Sequence, residues 1–130
     1  MAHNVCKSYL EHGAQYHRDY FINALKLLYP DPVLQVDMPS SGRIRFVRQP
    51  KENRYVLHLL YATPIQRGRT QVIEDLPPVY EVKVKLQISD PIRKVYLAPS
   101  GESVNFTQSG GRVELVVPRV ECHQIVVFDY

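Results

Sequence analysis

Tyr80-Glu81-Val82-Lys83-Val84-Lys85-Leu86-Gln87-Ile88 decides how the rest of the chain is read. Val82, Val84, Leu86 and Ile88 alternate with Glu81, Lys83, Lys85 and Gln87. In an extended chain successive side chains point to opposite faces, so this pattern predicts an antiparallel strand with one face buried and one solvated. The same period of two recurs on both sides. Upstream, Val33–Val36, Ile44 with Phe46, and the denser run Arg54–Tyr61 read as strands. Downstream, Lys94–Ala98, Ser103–Gln108, Arg112–Val117 and Gln124–Asp129 follow at regular intervals. Turn residues punctuate them at Ser40-Ser41-Gly42, Asp90-Pro91, Pro99-Ser100-Gly101 and Ser109-Gly110-Gly111. Seven to eight short strands at this spacing predict a mainly β, antiparallel sandwich.

The period changes before residue 33. Gln15 to Tyr29 is helical in pattern, with Tyr16, Tyr20, Ala24 and Leu28 four apart and Phe21, Leu25 and Leu28 beside them. Gln15, Asp19, Asn23 and Lys26 leave only a narrow polar face, so the apolar arc is wide enough for two neighbours. Pro30 and Pro32 stop the helix, because neither can donate a backbone hydrogen bond. Ser8 and Glu11 have capping-box spacing, which Gly13 interrupts. The expectation is therefore one N-terminal α-helix within residues 1–32, followed by a β-sandwich over 33–130.

Composition narrows the function classes. A chain of 130 residues with 45% hydrophobic and 22% charged residues can bury a core of its own. No apolar run approaches a membrane span, and Met1 to Leu10 lacks the basic-then-apolar order of a secretory leader. Cys6 and Cys122 are too few for a disulfide framework and point to a reduced, cytoplasmic setting. A net charge of +3 does not call for a polyanionic partner.

Each candidate for chemistry has a plainer reading. Glu74 and Asp75 are adjacent on a turn before Pro77-Pro78 and diverge, while Glu121 and Asp129 flank a terminal strand, so no acid pair of the glycosidase kind is expected. His17-Arg18-Asp19 lacks the asparagine of a kinase catalytic loop, since position 24 is alanine. His3, Cys6, Cys122 and His123 could build a tetrahedral zinc site only if the chain ends met, and Cys122 reads more simply as a small core residue. Ser103 belongs to a turn, and His58 and His123 border apolar strands as hydrogen-bonded structural residues. Arg43, Arg45 and Arg48, with Lys83 and Lys85, have no interleaved aromatic rings to stack bases, and a solvated sheet face accounts for them. Tyr55, Tyr61, Tyr80 and Tyr96 lie in or beside apolar strands and read as packed rings, with a carbohydrate-binding module using exposed tyrosines, and so weak carbohydrate as a partner, kept as the alternative reading. No catalytic, cofactor-binding or metal-ligating residue and no cofactor is assigned.

Several stretches resemble a known group. They are Tyr16-His17-Arg18-Asp19-Tyr20-Phe21-Ile22-Asn23-Ala24-Leu25, Leu27-Leu28-Tyr29-Pro30-Asp31-Pro32, Arg54-Tyr55-Val56-Leu57-His58-Leu59-Leu60-Tyr61, Glu74-Asp75-Leu76-Pro77-Pro78-Val79-Tyr80 and the ending Val117-Pro118-Arg119-Val120-Glu121-Cys122-His123-Gln124-Ile125-Val126-Val127. Together, from about residue 14 onward, they resemble the C-terminal region of bacterial multidomain glycoside hydrolases of the beta-galactosidase-like and alpha-L-fucosidase-like kind. The resemblance implies a parent with a TIM-barrel catalytic domain, a flavodoxin-like trimerisation domain and a terminal β-sandwich. It implies that the catalytic acids sit on the barrel and that this chain carries none of them. Its partners would then be the preceding domains of the parent hydrolase, or a second copy through the helix face of Tyr20, Leu25 and Leu28, with neither nucleic acid nor membrane among them.

Overall fold

The computed structural model describes residues 4–130 and divides the chain into two compact units, one ending at Pro32 and one spanning Val33–Tyr130. The first holds two helices where the sequence predicted one. Helix α1 is Val5–His12 and helix α2 is Gln15–Leu28. The difference comes from Gly13. It adopts φ 64°, the left-handed conformation that glycine takes without steric cost, and its N–H returns to the Tyr9 carbonyl at 2.8 Å. It therefore closes one helix so that the next can begin two residues later. The N-cap of α1 is Asn4, whose Oδ1 accepts the Lys7 N–H at 3.0 Å. Ser8 sits inside the helix, so the expected capping box does not form. At the end of α2 the Tyr29 N–H reaches the Leu25 carbonyl at 2.8 Å, and Pro30 prevents continuation. No described helix is long and apolar enough to cross a membrane.

The second unit is the predicted antiparallel sandwich. Its strands are β1 (Leu34–Val36), β2 (Arg43–Gln49), β3 (Arg54–Leu60), β4 (Ile65–Arg67), β5 (Thr70–Val72), β6 (Val79–Gln87), β7 (Lys94–Ala98), β8 (Phe106–Ser109), β9 (Arg112–Val120) and β10 (His123–Asp129). One sheet runs β1-β6-β9-β8 and the other β2-β3-β10-β7. The core between them is built from alternate positions, as a half-buried strand requires. Val82, Val84 and Leu86 of β6 and Val113, Leu115 and Val117 of β9 meet Leu57 and Leu59 of β3 and Val126 and Phe128 of β10. Phe128 is fully buried and meets Phe46 edge-to-face, with ring centroids 6.4 Å apart.

Three local departures follow from particular residues. The hairpin of β4 and β5 turns at Gly68, with φ 57°, and was not legible because each strand carries a single apolar residue, Ile65 and Val72, and so shows no alternation. Strand β8 starts at Phe106, and Ser103 contributes only an isolated bridge to Tyr96. Strand β9 continues through Pro118 to Val120, beyond the predicted end at Val117. Pro118 is tolerated because β8 pairs only with Arg112–Leu115 and has ended before it. On its other side the β6 ladder skips the Glu81–Pro118 position, and Glu81 takes φ 53°.

Candidate functional site

An open groove of about 950 Å³ lies on the outward side of the β1-β6-β9-β8 sheet. Register builds its centre. Lys85, Glu114 and Thr107 stand side by side across β6, β9 and β8, and Lys83 is opposite Val116 in the next pair. Lys85 Nζ lies 3.2 Å from Glu114 Oε1. The left-handed backbone at Glu81 shifts the alternation, so Val79 packs inward whereas Tyr80 turns out and is 62% exposed. Tyr80 thereby lines the groove together with Asn105, Thr107 and Pro118.

The groove contains two acids, Glu81 and Glu114. Glu114 is level with Lys85, four residues from Glu81. At a strand rise of about 3.3 Å per residue, their backbones are about 13 Å apart. Glycosidase carboxyl pairs stand about 5–9.5 Å apart. That spacing is between carboxyl groups, and the partner the structure gives the Glu114 carboxylate is the Lys85 ammonium at 3.2 Å.

A second polar cluster lies at one end of the sandwich. Asp90, in the loop after β6, accepts a hydrogen bond from the Tyr55 hydroxyl and one from Arg48 Nη2 at 3.2 Å. Arg48 Nε donates to the Tyr130 hydroxyl at 3.2 Å, and its guanidinium lies 5.3 Å from the Tyr130 ring centre and 5.6 Å from that of Tyr55. Gln108 ties the loop down, donating to the Asp90 carbonyl at 3.0 Å and accepting the Ile92 N–H at 2.9 Å. Burial of the ring, then the hydrogen bond to the Asp90 carboxylate, push the Tyr55 hydroxyl up to about 12. These groups satisfy one another, so the cluster acts as a clasp.

The remaining candidates are dispersed. Glu74 is bound by the Arg67 guanidinium at 2.9 and 2.7 Å, and that hydrogen-bonded pairing holds its carboxyl below the usual range. Glu121 pairs with Arg119. In α2, Asp19 pairs with Arg18 at 2.9 Å, while His17 is buried with its ring against Tyr16. Cys6 and Cys122 are free and exposed. Cys122 corrects the expectation of a core residue, because it holds φ 57° in the turn between β9 and β10. His3 lies outside the described residues, and among the described ones no three metal-ligating groups converge. Arg43 and Arg45 share the outward face of β2, in register with Leu60 and His58, while Arg48 belongs to the clasp. Of the four tyrosines read as strand packing, Tyr55 is buried and Tyr61 and Tyr96 are half-buried, but Tyr80 is exposed. Sequence reasoning missed the clasp and the His58–His123 contact, in which Nδ1 and Nε2 are 3.1 Å apart.

Alpha-L-fucosidase isoenzyme 2 from Paenibacillus thiaminolyticus matches with a TM-score of 0.93 and 38% identity, over 100% of this chain and 20% of that chain. A cycloisomaltooligosaccharide glucanotransferase from a Paenibacillus species matches with a TM-score of 0.52 and 17% identity, over 73% of this chain and 16% of its own, a likeness of fold alone. No protein-family description matches the chain, and no curated protein does. The resemblance to glycoside hydrolases drawn from the sequence holds, and the chain spans about a fifth of the fucosidase it matches.

Proposed function

We propose that this chain is the non-catalytic, C-terminal accessory domain of a glycoside hydrolase of the alpha-L-fucosidase type, and that it stabilises the parent enzyme or its oligomer. The observation that carries this reading is the match of the whole chain, at 38% identity, to one-fifth of a fucosidase. The pairing of Glu114 with Lys85 at 3.2 Å supports it, since it engages one of the groove's acids with an ammonium group. Purified chain is expected to release no chromophore from aryl glycosides, including the aryl alpha-L-fucoside. Turnover that disappears on Glu81→Gln or Glu114→Gln would overturn the proposal.

The helices supply the contact surface in this reading. On α2, Tyr20 is 68% exposed, Leu25 44% and Leu28 82%. An apolar patch of this kind on a free surface seeks a partner. The preceding domains of the parent hydrolase would cover it. The isolated chain is expected to self-associate through the same face, with a dimer in analytical ultracentrifugation that Leu28→Glu returns to monomer. A wild-type chain that stays monomeric at high concentration would remove this part of the account.

Tyr80 favours a second reading, a carbohydrate-binding module. An exposed ring beside Lys83, Asn105, Thr107 and Glu114 combines an apolar face with the hydrogen-bonding groups that orient a ligand. Calorimetric titration with neutral oligosaccharides separates the readings: saturable binding lost in Tyr80→Ala supports the module, and its absence leaves the structural role.

A further inference from the structure

The outward face of the β2-β3-β10-β7 sheet carries an arrangement that the accessory-domain reading does not use. His58 faces Ile125 in the ladder between β3 and β10, and His123 stands two residues before Ile125. Side chains two apart on a strand share a face, so the two imidazoles are diagonal neighbours. Their Nδ1 and Nε2 atoms are 3.1 Å apart, and the rings are within 16° of parallel. His123 is exposed and His58 is partly so. Water and small ions can therefore reach both.

We infer that His58 and His123 form a two-histidine site for a divalent transition-metal ion of the zinc class. Two nitrogens bound at about 2.0–2.1 Å from one metal lie about 2.9 Å apart at a right angle and about 3.3 Å apart at the tetrahedral angle. The observed 3.1 Å, at which one imidazole N–H hydrogen-bonds the other ring in the metal-free pair, falls between these limits, so a metal ion would take the place of the shared proton. Ring planes are set by χ2, a broad torsion with a shallow profile, so a modest turn of each exposed ring aims both lone pairs at one point. A neutral imidazole carries one proton. In the metal-bound pair that proton sits on Nε2 of His58 and Nδ1 of His123, leaving the facing nitrogens free to ligate. Imidazole suits zinc and its neighbours over magnesium or calcium, which prefer oxygen. Protein supplies two ligands and water the remainder, because no third metal-ligating group converges here among the described residues. Arg45, opposite His58 on β2, places a positive charge beside the site and limits its affinity.

Calorimetric titration of the full chain with zinc chloride, at a pH where imidazole is neutral, is the test. One saturable site is expected, weakened at least about tenfold by His58→Ala and by His123→Ala alike, and unchanged by His12→Ala. In the wild-type protein, nitrogen-15 NMR should show zinc shifting Nδ1 of His58 and Nε2 of His123 and no other imidazole pair. This readout stands even if a variant fails to fold. Absence of saturable binding below about 1 mM zinc, or single variants that bind like wild type, overturns the inference.

Discussion

Phe128→Ala is expected to lower the unfolding free energy by about 3–5 kcal/mol, the range for emptying a buried aromatic position. Phe128 has no exposed surface and lies in β10, an interior strand of its sheet. It meets Phe46 edge-to-face and belongs to the core that includes Val82, Val84, Val113 and Val117 of the facing sheet. Truncation leaves a cavity in contact with strands that are already paired on both sides, so the walls have little freedom to collapse. Single domains are stable by only about 5–15 kcal/mol, and this one change removes a large share. In urea the midpoint should fall with the slope unchanged. Val116→Ala is the control, since Val116 is exposed on the outward face of β9. Equal effects of the two substitutions would contradict a core between the sheets.

Asp90→Ala is expected to cost about 1–3 kcal/mol. The Tyr55 hydroxyl is left without its acceptor in a buried position, and an unsatisfied buried donor costs more than the hydrogen bond contributes. Tyr55→Phe removes donor and demand together and should cost less. The same hydroxyl makes the clasp sensitive to alkali. Its folded pKa is about 12, against an ordinary value of 10.0. The protonated form is favoured on folding, so the stabilisation is complete below about pH 10 and is lost as pH rises towards 12. Tyr55→Phe should therefore show a shallower decline in stability between pH 10 and 12 than wild type, measured by urea unfolding across that range. Parallel declines would show that the Tyr55 proton is not linked to folding.

How much of this was legible follows from which partners a residue needs. Val82, Val84 and Leu86 reveal their buried face through neighbours in sequence, and the sandwich follows from repeating that pattern. Pro30 marks the end of α2 because its effect is local. The clasp escapes such reading, since Arg48 meets Asp90 42 residues away and Tyr130 82 residues away. Nothing in the chain order around Asp90-Pro91 distinguishes a hub from a turn. Tyr80 misled for a related reason. Its spacing puts it with Val82, but the left-handed backbone at Glu81, beside Pro118 on the neighbouring strand, turns it outward. Cys122 read as core from composition and is exposed because a turn places it there. Gly13, taken as an interruption, is the cap that separates two helices.

A chimera tests the central claim most directly. In it this chain replaces the matching fifth of the Paenibacillus thiaminolyticus alpha-L-fucosidase, and it is compared with the same enzyme lacking that fifth. A domain that stabilises without taking part in chemistry should raise the thermal midpoint relative to the truncated enzyme, with the fucosidase kcat/KM unchanged by Glu81→Gln and Glu114→Gln in the grafted part. A chimera no more stable than the truncated enzyme, or one whose turnover collapses with either substitution, would contradict it.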